Sequence, residues 1–296
     1  MGLSSQIVPL RSDRELEEIA SVGEVLGRIL DRGLAACRPG VRTIEIDEVI
    51  RDAIRGFGAE SLFDGYAPGV ATPFPGVACI SVHEQVVHGV PGERTIRAGD
   101  LVSIDVGIRM EGWCADAART ILVDEAGGRD GGNREARRLI ETTEGLLESC
   151  LGLIRPGRKW SEIGFALERM ADQSGFGMVT EYVGHGIGRE LHEPPKVPAY
   201  ASGFTGSDFT LAEGMVLAIE PILTLGRGSV GGAGSISGVP PVPPVPPVPG
   251  RGLPRWRMPV RLLEDGWTVV TEDGSAACHI EWMVGVTGDG GMVLGR

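Results

Sequence analysis

The sequence predicts an α+β domain in which helices cover one face of a mainly antiparallel sheet and one half of the chain repeats the other. Three observations carry this expectation. Helical periodicity comes in two pairs. The two pairs share their punctuation at one constant offset. The apolar, β-branched runs cluster between the helix pairs instead of alternating singly with helices.

The first helix opens at Ser12-Asp13-Arg14-Glu15, a capping box in which serine and glutamate each satisfy a free backbone N–H. Leu16, Ile19, Leu26, Ile29, Leu30 and Leu34 follow at helical spacing, and Pro39-Gly40 stops the helix. A second helix carries Ile46, Val49, Ile50, Ala53 and Ile54 and ends at Gly56-Phe57-Gly58. A third opens near Asn133, carries Leu139, Ile140, Leu146, Leu147, Leu151 and Ile154, and stops at Pro156-Gly157. The fourth carries Ile163, Leu167 and Met170 and ends at Gly175-Phe176-Gly177. Arg38-Pro39-Gly40 returns as Arg155-Pro156-Gly157, and Glu45-Ile46 returns as Glu162-Ile163 at the same offset. A duplicated half implies a pseudo-two-fold axis, and clefts between halves are common homes for ligands.

Strand-like runs lie at 77–82, 101–107, 113–123, 177–183, 215–225 and 280–287. Residues 1–11 read as an N-terminal tail and 12–296 as a single domain. The segment 226–252 is dominated by Gly, Ser, Val and Pro. Too few large side chains lie there to offset chain entropy, so disorder stiffening into polyproline II is expected. An inert insertion is the simpler reading than a ligand for a proline-reading partner.

Composition narrows the function classes. The chain has 296 residues, 42% hydrophobic and 23% charged, with net charge −12. That charge argues against a nucleic-acid partner, because phosphate binding needs a basic field. The N-terminus has no basic patch ahead of an apolar stretch, and no apolar run approaches the roughly 18 residues of a membrane helix. The five cysteines are scattered and form no C-x-x-C, so a reducing cytoplasm is expected.

Chemistry concentrates in a few acids and histidines. Asp105 ends an apolar strand and Asp116 lies on the next, where a hairpin can bring them together. Two buried carboxylates repel, and a divalent cation removes that conflict. Glu220 sits in Met215-Val216-Leu217-Ala218-Ile219-Glu220-Pro221, and Glu281 in His279-Ile280-Glu281-Trp282-Met283-Val284; acids in such apolar runs need a partner. His88, His185 and His192 lie at turns after predicted strands. Two Asp, two Glu and one His suit hard or borderline divalent ions such as Mn, Fe, Co or Zn. No H-E-x-x-H, Walker A or G-x-S-x-G pattern occurs, so serine or cysteine hydrolases have no support.

Taken in order, several motifs resemble those of bacterial type I methionine aminopeptidases of peptidase family M24. They are Cys79-Ile80-Ser81-Val82-His83-Glu84 with His88-Gly89-Val90-Pro91, Ser103-Ile104-Asp105-Val106-Gly107, Gly184-His185-Gly186-Ile187-Gly188-Arg189 with His192-Glu193-Pro194, Ala218-Ile219-Glu220-Pro221 and Asp265-Gly266-Trp267-Thr268. The resemblance runs from about residue 12 to 288. It implies the pita-bread fold and a cytoplasmic enzyme that removes the initiator methionine from nascent polypeptides when the second residue is small. It further implies two divalent metal ions, a monomer that meets its substrates at the ribosome, and neither nucleic-acid nor membrane partners.

Carried over by motif, Asp105 would chelate one ion, Asp116 and Glu281 would bridge both, and His185 and Glu220 would hold the other. His192 would stabilise the developing oxyanion, His88 would position substrate, and Glu220 would also relay a proton. Cys79, Phe74, Leu191 and Trp267 would line the methionine pocket. The chain departs from the pattern at His83, Gly107, Ala218 and Trp282-Met283. Leu191 and Ala71 stand where pocket aromatics are usual, which predicts a roomier, less strict pocket. The rival readings are a Xaa-Pro aminopeptidase of the same fold and a non-catalytic pita-bread binding module.

Overall fold

A computed structural model describes residues 7–69, 72–123, 133–201, 208–227 and 256–296. Most of the predicted insertion, and Ala71, lie outside the described residues.

The first half opens with helices α1 (Asp13–Ala36) and α2 (Thr43–Phe57). Strands β1 (Glu60–Ser61), β2 (Cys79–Val82), β3 (Gln85–Val87), β4 (Leu101–Met110) and β5 (Trp113–Leu122) follow. The second half opens with α3 (Arg134–Leu153) and α4 (Trp160–Ser174). Behind them come β6 (Gly177–Met178), β7 (Gly184–Gly186), β8 (Glu193–Val197), β9 (Val216–Ile219) and β10 (Ile222–Thr224). The chain closes with β11 (Val260–Leu262), β12 (Val269–Thr271), β13 (Ala277–His279), β14 (Trp282–Thr287) and β15 (Gly290–Gly295). Every pairing between these strands is antiparallel. Among the described residues no helix is long and apolar enough to cross a membrane.

Local chemistry sets the helices. Ser12 caps α1 with both arms of the capping box formed, a device worth about 1 kcal/mol. Its stripe of Leu16, Ile19, Leu26, Ile29 and Leu30 is buried against the sheet, each side chain contributing about 1.5–3 kcal/mol on burial. Arg11, placed by the sequence in a tail, is instead anchored: its guanidinium pairs with Glu193 and its N–H donates to the Gly214 carbonyl.

The repeat survives in three dimensions. Gly40 and Gly157 end the two helix-joining motifs with positive φ, and Gly58 and Gly175 cap α2 and α4 in the left-handed region. A side chain is strained there, which is why glycine ends both helices. Arg42 bridges to Thr95 and Lys159 to Thr210, again as equivalents. The two helix pairs pack into separate apolar clusters, though each cluster also draws residues from the other half, such as Met283 and Leu294 in the first and Leu101 in the second.

Two predicted strands are shorter or broken. The run 177–183 forms only the short β6, and 215–225 splits into β9 and β10 around Glu220-Pro221. Proline has no N–H to give a ladder, so pairing lapses there. The partner side lapses at the same level, between β13 and β14, at Ile280-Glu281.

Candidate metal centre

Strand register alone sends five side chains to one face, because directly paired residues share a face and alternate residues return to it. In the β4–β5 hairpin Asp105 pairs with Ala118 and Gly107 with Asp116, so the two aspartates are diagonal neighbours. Ala118 in turn bridges to Glu281, whose N–H donates to the Ala118 carbonyl at 2.9 Å. On the other side of Glu281, Trp282 pairs with Ile219 and Ile222 with His279. Both pairings share one register, and continuing it through the break sets Glu220 opposite Glu281. His185 on β7 pairs with Ala218, two residues before Glu220. His185 is therefore a strand residue, where the sequence suggested a turn.

The two halves are stitched beside this face. The hydroxyls of Ser103 and Thr120 lie 2.8 Å apart. Thr120 donates to the His279 carbonyl at 2.6 Å, and the His279 N–H donates back to it at 3.1 Å. This clamps β13 onto the β4–β5 hairpin.

Ligand-type atoms of Asp116, His185 and Glu281 lie within 4.8 Å of one another, and all three residues are buried. His185 Nε2 is 3.8 Å from Asp116 Oδ2 and 4.0 Å from Glu281 Oε1. The His185 Nδ1 edge sits 2.9 Å from the Gly186 carbonyl. A proton held on Nδ1 by that carbonyl leaves the Nε2 lone pair facing the carboxylates, as a metal ligand requires.

The acids are electrostatically unbalanced. Burial, then the charge of Asp116, holds the Asp105 carboxyl well above its usual range. Burial, then Glu220, raises Asp116 to about 8. Glu281 is raised by burial and then by Asp116. Glu220 moves the other way: burial would raise it, but His279, aided by His185 and His88, more than offsets that. Asp105 Oδ1, Asp116 Oδ1 and Glu281 Oε1 are buried without hydrogen-bond partners. Lone pairs abandoned in this way fit a divalent cation.

The acids form one end of a cleft that is partly open to solvent. All eleven site residues expected from sequence line it: Asp105, Asp116, His185, Glu220, Glu281, His88, His192, Cys79, Phe74, Leu191 and Trp267. His88 sits at φ 56°, a strained conformation of the kind found at functional sites, with its ring edge-on to Tyr182 at 5.3 Å. Burial lowers its pKa to about 4. His192 stands at the open side with its ring 4.4 Å from that of His185. Desolvation, then His185, lowers it too.

Sequence reasoning missed six lining residues: Phe63, Tyr66, Val87, Tyr182, Val183 and His279. His279 was legible in principle, since it lies two residues before Glu281 on the same strand edge. Its Nε2 approaches Glu220 Oε2 to 3.4 Å. Phe63 and Tyr66 lie in a loop with no periodicity to flag them. They add two rings to the pocket wall, beside Leu191. A side-chain carbon at Gly107 would meet the Phe63 ring at 2.7 Å, so the glycine there makes room for an aromatic. Phe74 and Trp267 stack edge-on at 5.3 Å, and Tyr66 lies 6.4 Å from Trp267.

A duplicated α+β fold of the pita-bread class, with a buried carboxylate–imidazole cluster between its halves, defines a metal-dependent hydrolase. Residues 17–287 match metallopeptidase family M24, and the chain belongs to that family. It is 34% identical to a methionine aminopeptidase of Treponema pallidum (strain Nichols) over 288 residues, covering 97% of this chain and 96% of the relative. It is 35% identical to methionine aminopeptidase 1 of Mycobacterium tuberculosis (strain CDC 1551 / Oshkosh), covering 98% and 95%. The crystal structure of a methionine aminopeptidase from Thermotoga maritima superposes with TM-score 0.78 at 29% identity, covering 98% of this chain and 100% of that one. A prolidase from Pyrococcus furiosus shares the fold with TM-score 0.65 at 20% identity, but this chain spans only 65% of it.

Proposed function

We propose that this protein is a methionine aminopeptidase that removes the initiator methionine from polypeptide N-termini, preferring a small second residue. The observation that carries the reading is the convergence of five ligand-type side chains and a ring-lined apolar pocket in one cleft. The near-complete mutual coverage with methionine aminopeptidases supports it over a Xaa-Pro enzyme. A non-catalytic module has no need of four crowded buried acids.

In this reading Asp105, Asp116, His185, Glu220 and Glu281 hold the metal. Two divalent ions, drawn from Mn, Fe, Co or Zn, fit better than one, because four carboxylates carry four negative charges and two ions balance them. When bound, the metal supplies a nucleophile from water at neutral pH and polarises the scissile carbonyl. Phe63, Phe74, Leu191 and Trp267 receive the methionine side chain, and Cys79 closes the floor. His88 positions the peptide. His192 donates to the oxygen that gains charge as the carbonyl is attacked. Glu220 takes the proton from the attacking water and passes it to the leaving amine. Its carboxylate suits that task because His279 keeps it ionised. The proposal includes encounter with nascent chains at the ribosome, action as a monomer, and a single domain over 12–296.

The test is hydrolysis of Met-Ala-Ser against Ala-Pro peptides by chelated protein reloaded with Mn, Fe, Co or Zn. Metal-dependent release of methionine alone is expected. Cleavage of the Ala-Pro peptide instead, or full activity after exhaustive chelation, overturns the reading.

A further inference from the structure

The hydroxyl of Tyr66 lies 3.0 Å from His192 Nδ1. We propose that Tyr66 is a positioning residue that fixes the tautomer of His192, so that Nε2–H is the donor offered to substrate; this rests on the role given to His192 above.

A neutral imidazole carries its single proton on one nitrogen and a lone pair on the other. If His192 carried the proton on Nδ1, Nε2 would present a lone pair to the oxyanion and repel it. A phenol O–H donates more strongly than its oxygen accepts, so the Tyr66 O–H donates its hydrogen bond to the Nδ1 lone pair. The imidazole proton is then held on Nε2, where the developing charge needs it. An imidazole whose tautomer is set by a hydrogen bond on its far nitrogen is a general device. Here the partner is a loop tyrosine.

The loop is built to hold that hydroxyl still. The Tyr66 N–H donates to the Phe63 carbonyl at 2.9 Å, and the Tyr66 carbonyl accepts from the Phe74 N–H at 2.9 Å. The Gly65 N–H donates to the Phe74 carbonyl at 3.0 Å, so the segment is pinned on both sides of residue 66. The ring of Tyr66 lies 6.0 Å from that of His192 and 6.4 Å from Trp267, bridging the catalytic histidine and the pocket wall. Tyrosine therefore does two separable things at this place. Its ring belongs to the apolar pocket, and its hydroxyl belongs to His192.

Tyr66→Phe separates them, because phenylalanine keeps the ring and loses only the O–H. Two measurements decide the matter. The first is 15N NMR of the imidazoles in zinc-loaded protein, where five histidines make assignment tractable. Wild type should show a pyrrole-type Nε2 and a pyridine-type Nδ1 at His192, and Tyr66→Phe should show a mixture. The second is steady-state hydrolysis of a methionyl peptide. Tyr66→Phe should lose about tenfold in kcat, the scale of one hydrogen bond, with KM within about twofold and metal content unchanged. In a His192→Ala background the same substitution should cost nothing further. A wild-type His192 protonated on Nδ1 overturns the proposal. So does a Tyr66→Phe loss that appears in KM, or one that persists in full in the His192→Ala background. If wild type does not cleave methionyl peptides, the functional reading fails instead, and the NMR pattern alone decides the pair: an unchanged tautomer in Tyr66→Phe overturns it.

Discussion

The two ends of the cleft are made differently. At the acidic end, Asp105, Asp116 and His185 sit in strands, and Glu220 and Glu281 sit at matched breaks in strand pairing. At the apolar end, Phe63, Tyr66, Phe74, Leu191 and Trp267 all lie in loops between strands. Ladder hydrogen bonds fix the first set to within a residue, because a slip of one would turn every side chain to the other face. The second set depends on loop contacts such as the Trp267 indole N–H donating to the Thr72 carbonyl at 2.9 Å. The acidic end should therefore tolerate almost no chemical change while keeping its shape, and the apolar end should respond by degrees.

The largest expected effect comes from Asp116. Asp116→Asn removes a charge from the centre of the cluster, and activity should fall by more than the roughly 10–100-fold typical of losing a partner of a metal ligand. Elemental analysis should show lost metal while far-UV circular dichroism stays unchanged. Undiminished metal content in the variant would refute a shared role for Asp116. Next is His192, at the junction of the two ends. His192→Ala should lower kcat by roughly 10² or more and leave bound metal untouched; loss of an ion would move His192 into the ligand set.

A third effect is thermodynamic. In metal-free protein, burial and then Glu220 raise Asp116 from 3.8 to about 8. The unfolded chain gives up that proton near 3.8, the folded chain only near 8. Between those values the unfolded state binds fewer protons, so stability falls as pH rises and levels off above 8. Asp105 and Glu281 shift in the same direction and add to the slope. Thermal melts of chelated protein should thus decline from pH 5 to pH 8, and Asp116→Asn should flatten the curve. A melting temperature that climbs over this range would show that the acids are not protonated together.

The smallest effect is expected in the pocket. Leu191 is buried at 7% exposure in a cleft also lined by Phe63, Tyr66, Phe74 and Trp267. Leu191→Phe should overpack it, at a cost of about 1–3 kcal/mol where the surroundings cannot shift. KM for methionyl peptides should rise several-fold with metal content unchanged. Improved selectivity for methionine in that variant would instead fit the roomier pocket expected from Leu191 and Ala71.

How legible the molecule was in its sequence follows from the same contrast. The helix pairs, the duplication and the Asp105–Asp116 hairpin could be read because they obey short-range rules: 3.6-residue periodicity, capping chemistry and two-residue alternation. Glu220 and Glu281 stood out because an acid in an apolar strand is conspicuous. His279 obeyed the same alternation but was hidden by its ordinary place beside a more conspicuous glutamate. Both second helices end inside the glycine motifs expected for them, α2 at Gly58 and α4 at Gly175, and these two caps stand at the same offset as the rest of the repeat.

What the sequence by itself determined is the inventory and its order: two helical hairpins, the strands that follow each, and the acids and histidines that a metal-dependent peptidase needs. Only the tertiary structure decided that His279 faces Glu220, that Gly107 yields its space to Phe63, and that Tyr66 reaches His192 across more than a hundred intervening residues. The physical reason is range. Periodicity and caps act over a few residues and leave a mark in composition, whereas a loop side chain finds its partner through contacts that no local pattern encodes.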